Sequence, residues 1–312
     1  MIESKDISVV VQGAIDIELT TLCLKSIRKI LPNSQIILST WQGSNINDLD
    51  YDVLIENKDP GCTVCSKQNG KNNINRQIVS TISALKAVKT KYVLKLRSDM
   101  ILTNLNFIKA FIKFNRLNKF RDKEFKIFKS RVVINNLFCP DPKLTHYPYH
   151  ISDWVQFGYI EDIIDLWDIP LQKEPESSQY FLLHPKPDNK YIRDDLYLQY
   201  FMEQWITISL LKKHKIDPKM EYYCDCKDEN IKNTYIFLGN NFVILDYENF
   251  GIKFLKYNPS VLYGEYIKLQ IKHRKWLKIY RKIILKNVMN TVTKHILSKK
   301  IKNKLRSHND KK

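Results

Sequence analysis

The 312-residue chain has no apolar run long enough to span a bilayer. Its polar start, Met1-Ile2-Glu3-Ser4-Lys5-Asp6, lacks the charged-then-apolar layout of a cleavable leader. The expectation is a protein of the cytoplasm or of the cytoplasmic face of an inner membrane. Six cysteines are too few for a disulfide framework in a chain of this size. Cys62-x-x-Cys65 and Cys224-x-Cys226 raise the question of a four-thiolate zinc site. The second spacing is too tight and neither pair has a His close by, so reduced, unligated thiols are expected. The G-x-G-x-x-G fingerprint and the phosphate-binding P-loop are both missing, which argues against a dehydrogenase or a P-loop kinase.

What is present is ordinary globular material, 44% hydrophobic and 27% charged, with an uneven excess of positive charge. From residue 265 to 312, thirteen Lys and three Arg stand against two acids, a net +14 out of the chain's +18. The body is nearly neutral and the C-terminal segment is cationic. From about residue 266 it reads as a basic amphipathic helix, with Trp276, Tyr280, Ile284 and Val288 four apart and Lys or Arg on the other faces. Such a helix suits an anionic membrane surface. The competing reading is a helix packed on the body with solvated Lys side chains. Residues 299–312 are expected to be disordered. Charge alone would suggest a nucleic-acid-binding protein, but no helix-turn-helix, RRM or zinc-finger signature accompanies it, and no nucleic-acid partner is expected.

Residues 7–12 are β-branched and compact, a first parallel strand opened into a turn by Gly13. Apolar spacing predicts a helix over 17–30, strands over 36–40 and 53–55, a helix over 72–88 and a strand over 91–96. This alternation predicts an α/β fold with one Rossmann-type, mostly parallel sheet flanked by helices. The polar strand exits Gln12-Gly13, Thr40-Trp41 and Arg97-Ser98-Asp99 should then meet at one edge, where ligands of such sheets bind. Trp41 could stack on a base or serve as a core aromatic, while Gln12 and Thr40 could hydrogen-bond a nucleotide. Arg97, Ser98 and Asp99 suit a phosphorylated, metal-bound ligand.

Further along, a helix is predicted over 104–115 and strands over 132–137 and 151–158. Helices are predicted over 161–167 and 194–213, and a last strand over 240–245. The stretch 121–130 stays open between loop and strand. Ser152, Asp153 and Trp154 place a carboxylate between a hydroxyl and an indole, a combination suited to sugar binding or to capping a strand.

Several ordered motifs resemble the WavE family of bacterial lipopolysaccharide-synthesis proteins. They are Val11-Gln12-Gly13-Ala14, Cys23-Leu24-Lys25-Ser26-Ile27-Arg28, Ile37-Leu38-Ser39-Thr40-Trp41 with Gly43-Ser44, and Asp59-Pro60-Gly61. Asn72-Asn73-Ile74-Asn75-Arg76-Gln77, Ser80-Thr81 and Lys95-Leu96-Arg97-Ser98-Asp99 continue the series. The match is dense over residues 1–100 and patchy beyond. Met202-Glu203-Gln204-Trp205-Ile206 resembles the family's P-E-Q-Y-L segment, with Met for Pro and Trp for Tyr.

The resemblance implies a GT-A-like glycosyltransferase, inverting, that moves a sugar from a nucleotide-sugar donor to a growing surface glycan. UDP-, GDP- and CMP-linked donors all stay open, as do lipopolysaccharide core, lipooligosaccharide and capsule. A non-catalytic scaffold of a glycan-assembly complex is the alternative within this setting. Residues 1–264 would form the transferase domain, 1–100 its donor half and 101–264 its acceptor half, with 265–312 a basic extension. Donor binding falls to Gln12, Gly13, Thr40, Trp41, Asn75, Arg76, Arg97, Ser98 and Asp99. Acceptor binding, to a lipid-linked glycan, falls to Ser152, Asp153 and Trp154. Asp99 stands where GT-A enzymes carry a D-x-D metal motif, here reduced to Arg97-Ser98-Asp99, so Mg²⁺ or Mn²⁺ could be held by Asp99 and the donor diphosphate. Arg97 or a Lys could instead neutralise the diphosphate. An inverting transferase needs a carboxylate to take the acceptor's proton. Among Asp153, Asp194, Asp195 and Glu203, the reading assigns Glu203 on its apolar helix, with Asp153 as the other catalytic carboxylate. Asp194 and Asp195 fit better as first-turn residues stabilising a helix dipole.

Overall fold

The computed structural model describes residues 2–254, 256 and 264–309, with only the backbone for residue 265 and residues 294–309. In chain order the elements begin β1 (Ile7–Gln12), α1 (Ile17–Ile30), β2 (Gln35–Trp41), β3 (Val53–Asn57), β4 (Thr63–Val64), β5 (Lys71–Asn72) and α2 (Ile74–Leu85). Then follow β6 (Tyr92–Arg97), β7 (Met100–Leu102), α3 (Asn106–Asn115), β8 (Val132–Asn135), α4 (Pro142–Thr145), β9 (Val155–Tyr159) and α5 (Ile160–Trp167). The remainder is α6 (Tyr180–Leu183), α7 (Met202–Lys213), α8 (Asp228–Asn241), β10 (Phe242–Leu245), α9 (Tyr247–Phe250), β11 (Ile252–Phe254) and a long α10 (His273–Asn309).

Seven strands form one sheet in the order β10-β8-β9-β6-β1-β2-β3. Every pairing is parallel except those of β9, which runs antiparallel to both neighbours. The expected mostly parallel, helix-flanked α/β sheet is therefore what forms. β1 is an interior strand, between β6 and β2, and all six of its residues are buried, as expected of a strand covered on both faces. Helices α2, α5 and α7 pack on one another, α2 lying along β1, β2 and β3. α1 shows why its prediction succeeded. Asp16 caps it by accepting from the Leu19 amide at 3.2 Å, and Thr20, Cys23, Leu24 and Ile27 turn inward at helical spacing.

Four expectations from sequence give way. The helix predicted over 194–213 begins only at Met202. Residues 196–198 run extended, because their backbone bonds to neighbouring segments: Tyr197 N–H donates to the Cys65 carbonyl and the Tyr197 carbonyl accepts from Phe181, both near 2.9 Å. Leu196 and Leu198 alternate as in a strand and fill a small second core with Phe181 and Tyr223. Asp194 and Asp195 are thus not helix-capping residues; Asp195 pairs with Arg193 at 2.7 Å. The strand predicted from 151 starts at Val155. Residues 240 and 241 are the last turn of α8, a helix the sequence hid because its buried face carries Asn230, Thr234, Asn240 and Asn241. Those amides have a reason to be inside. Asn241 accepts from the Ile127 amide and donates to the Phe125 carbonyl, and Asn240 brackets Asp122 in the same way, holding the 121–130 stretch as loop.

The fourth concerns the C-terminal helix, which continues to Asn309 where disorder was expected from residue 299; residues 310–312 lie outside the described residues. The stripe predicted on it does pack inward. Trp276, Tyr280, Ile283 and Ile284 are buried, and Trp276 Nε1 donates to the Phe242 carbonyl at 2.9 Å. α10 approaches α8 at Gly239, where a β-carbon would come within 2.6 Å of Ile283 Cδ1. The first half of the basic segment is therefore part of the main core.

Candidate active site

In register, Gln12 lies between Ser39 of β2 and Arg97 of β6, so the three carboxyl-terminal strand ends are level. Beyond them opens a cavity of about 290 Å³, walled by Gln12, Gly13, Trp41, Arg97, Ser98 and Asp99. The start of α2 closes it with Asn73, Arg76 and Gln77, and Ala14 completes the wall. The predicted convergence of the polar strand exits is what the fold produces. Its physical basis is the parallel sheet, which sends successive strands out on the same edge.

Several wall residues are held in place by named partners. Gln12 Oε1 accepts from Ser80 Oγ at 2.8 Å, and its Nε2 has no hydrogen-bond partner among the described residues. Ser98 donates its hydroxyl to the Ala14 carbonyl at 2.7 Å and its amide to the Gln12 carbonyl at 3.1 Å, tying the two strand exits together. Gly13 sits between them with φ +129°, and a β-carbon there would come 3.2 Å from Ser98 Oγ, so only glycine passes this turn without strain. Arg76 grips Asp59 through both oxygens at 2.7 and 2.6 Å, which holds the Asp59 carboxyl below its usual range. Gln77, which lines the cavity, has a buried Oε1 without a donor among the described residues.

Two donor residues expected from sequence do not line the cavity. Thr40 is one position past Ser39 and therefore on the other face of β2; it is fully buried with its hydroxyl 3.2 Å from Ser44 Oγ. Asn75 points away on α2 and clamps the Gln172 backbone by two bonds of 3.0 and 2.7 Å. Asn73 and Gln77, which do line it, were passed over. The signal was available, since 73, 76 and 77 share a helical face that 75 does not.

Next to the cavity lies a buried acidic cluster. The Arg97 guanidinium stacks 4.6 Å over the Trp154 ring. Its neighbour Asp153 is 2% exposed and its Oδ1 has no hydrogen-bond partner among the described residues. Ser152 is fully buried with its hydroxyl donated to Asn135 Oδ1 at 3.1 Å, so it presents nothing to an acceptor. Lys95, two residues before Arg97 on β6, is fully buried, donates to the Asp153 carbonyl and lies 4.6 Å over the Trp167 ring; burial pushes its ammonium down to about 8. Glu203, in the first turn of α7, is 6% exposed. Burial first, and the Asp153 charge second, push its carboxyl up to about 8. His150 faces it, a residue noted in the sequence only as part of a loop.

The residues present do not fit a metal held by the protein. Asp99 is the one carboxylate among those lining the cavity, and Arg97 occupies both of its oxygens at 3.0 and 2.6 Å. A divalent cation would have to displace that guanidinium. Among the described residues no three His, Cys, Asp or Glu side chains gather as a cation site, and the six cysteines are free thiols.

An open, mostly parallel sheet with a cavity at its carboxyl edge and a buried carboxylate pair beside it defines an α/β protein built to receive a polar ligand. Residues 7–309 match the model of the WavE lipopolysaccharide synthesis family, and the chain belongs to that family. No curated protein sequence matches it. Among solved structures, the 4-diphosphocytidyl-2C-methyl-D-erythritol synthase of Anaerococcus prevotii DSM 20548 aligns at 12% identity with a TM-score of 0.32, over 76% of this chain and 99% of that one. S. aureus TarS aligns at 14% identity with a TM-score of 0.34, over 65% of this chain and 33% of that one. No helix among the described residues is long and apolar enough to cross a membrane.

Proposed function

We propose that the chain is a nucleotide-sugar-dependent glycosyltransferase that adds a sugar to a growing lipopolysaccharide-type glycan. The observation that carries this reading, beside the family, is the cavity with Trp41, three side-chain amides and two guanidiniums on its wall. An indole offers a face to a base, the Gln12 amide nitrogen and Gln77 oxygen offer a donor and an acceptor to base or ribose, and Arg76 and Arg97 suit a diphosphate. Both arginines carry intramolecular carboxylate partners, so a diphosphate would share or take over their N–H groups.

In the transfer step, the acceptor hydroxyl loses its proton as it attacks the anomeric carbon, and the diphosphate leaves with the bonding electrons. Glu203 is the base in this reading, its raised pKa matching the task. Asp153 Oδ1, without a donor of its own among the described residues, accepts from a second hydroxyl of the acceptor sugar and so orients the attacking one. Arg97 stabilises charge on the leaving diphosphate. A single displacement of this kind inverts the anomeric centre. The acceptor is a lipid-linked glycan at the cytoplasmic face of the inner membrane, a location supported by the net +14 of residues 265–312.

The test is a panel of UDP-, GDP- and CMP-sugars, read first as thermal stabilisation and then as nucleotide release with a glycan acceptor. One donor class should stabilise the protein and release its nucleotide. A chain that binds none of them is a scaffold, and the reading fails.

A further inference from the structure

A second cavity, of about 680 Å³, lies away from the strand ends, between α8 and α10. Its apolar lining is Ile231 and Ile236 of α8 with Ile279 and Ile283 of α10. Around it stand Lys143 of α4, Lys232 of α8, and Lys278, Lys282 and Lys286 of α10, five cations against the two carboxylates on the same wall, Asp122 and Asp228. Only Lys286 has an acidic partner, Asp122 at 3.8 Å; among the described residues the other four have none. An apolar trough rimmed by unpaired ammonium groups is complementary to an anionic amphiphile: the head meets the lysines and the chain meets the isoleucines.

What adjoins the groove says which amphiphile. Leu285, Met289 and Val292 are 62%, 68% and 52% exposed, at i, i+4 and i+7 on α10. They form a second apolar stripe, separate from the buried one of Trp276, Tyr280 and Ile284. Lys282, on the groove rim, is three residues from Leu285 and therefore its neighbour on the helix surface. Groove and stripe are continuous, which a soluble phosphate would not need and a bilayer lipid would use.

We propose that the groove between α8 and α10 holds the phosphate head and first chain carbons of an anionic membrane lipid, while Leu285, Met289 and Val292 enter the bilayer beside it. This rests on the reading that the chain works at a membrane face, and it is independent of the donor chemistry. It adds that recognition involves α4 and α8 as well as the basic helix.

The discriminating variant therefore lies outside α10. The full chain carrying Lys143→Glu with Lys232→Glu is compared with charge-matched Lys25→Glu with Lys29→Glu on α1; all four side chains are exposed, and thermal unfolding reports that each variant folds. Ligands are phosphatidylcholine vesicles with and without phosphatidylglycerol, and monomeric short-chain phosphatidic acid. We expect the groove pair to weaken phosphatidylglycerol vesicles and phosphatidic acid by about tenfold or more, and the α1 pair to leave phosphatidic acid binding unchanged. Equal losses in the two variants would reduce the effect to general charge and overturn the groove. Inorganic phosphate binding as tightly as phosphatidic acid would remove the lipid. Nucleoside diphosphate binding, read on the same variants, stays at the parent value, so failure of the groove leaves the donor reading standing.

Discussion

His150 and Glu203 meet with Nε2 and Oε2 3.5 Å apart, both side chains buried. His150 Nδ1 lies 2.8 Å from the Phe138 carbonyl, which can only accept, so that nitrogen carries the hydrogen and Nε2 is left as an acceptor. Burial pushes the imidazolium down to about 4, so the ring is neutral near pH 7. Glu203, raised by the same burial, keeps its proton there. The resting pair is thus a neutral acid facing a neutral base.

A base that begins protonated gives the reaction a pH signature. If Glu203 takes the acceptor's proton, kcat/KM should climb with pH up to about 8, the point to which the Glu203 carboxyl is raised in the free protein. Glu203→Gln should flatten that limb, lower kcat by about a hundredfold or more, and leave nucleotide affinity intact. Normal turnover by Glu203→Gln together with a dead Asp153→Asn would hand the role to Asp153.

The same two groups leave a mark on stability. Glu203 titrates higher folded than its ordinary 4.5, so its contribution is full below 4.5 and is lost as pH rises to about 8. His150 titrates lower than its ordinary 6.5, so its contribution is full above 6.5 and is lost as pH falls to about 4. Between 4.5 and 6.5 the slopes oppose each other, each at most about 1.4 kcal/mol per pH unit. Glu203→Gln removes only the first. Its urea midpoint should therefore rise with pH across that window more steeply than the parent's, and parallel curves would show that Glu203 titrates normally.

The carboxyl edge of the sheet was legible because it obeys local rules. β1 and β6 are short apolar runs ended by polar residues, α1 carries its cap and its period, and a parallel sheet collects the strand exits. Thr40 was misassigned through a single step of strand alternation, and Asn75 through a single step of helical phase. What failed further along failed for a non-local reason. Leu196 and Leu198 belong to an extended segment whose hydrogen bonds go to residues 65–67 and 177–181, and no window around 194–201 contains those partners. The Arg97 grip on Asp99 was equally invisible, since Arg97-Ser98-Asp99 read as a metal motif and as an ion pair looks the same in sequence.

That ion pair decides the metal question in a measurable way. With both Asp99 oxygens on Arg97, the proposed reading puts the guanidinium at the leaving group, and a chelator should leave the transfer rate within about twofold, since the one carboxylate lining the cavity is already paired. Arg97→Ala should weaken nucleotide diphosphate binding by roughly tenfold to a hundredfold, the range of one or two charge-assisted hydrogen bonds. Loss of all activity in chelator, restored by Mn²⁺, would return Asp99 to the metal.

The C-terminal segment cannot be treated as a detachable anchor, because its first turns complete the core. Trp276 is fully buried; its ring meets Phe114 edge-on at 4.9 Å between centroids and stacks on Tyr280 at 5.3 Å. The Phe242 carbonyl it satisfies belongs to β10, an edge of the main sheet. Trp276→Ala should therefore cost about 3–5 kcal/mol, the range for emptying a large aromatic site, and also leave the Phe242 carbonyl unpaired. Removal of residues 266–312 should prevent folding, whereas removal of 294–312 should leave the urea midpoint unchanged, since Trp276, Tyr280, Ile283 and Ile284 all remain. A chain truncated before residue 266 that unfolds cooperatively at the parent's midpoint would show that the helix merely rests on the body.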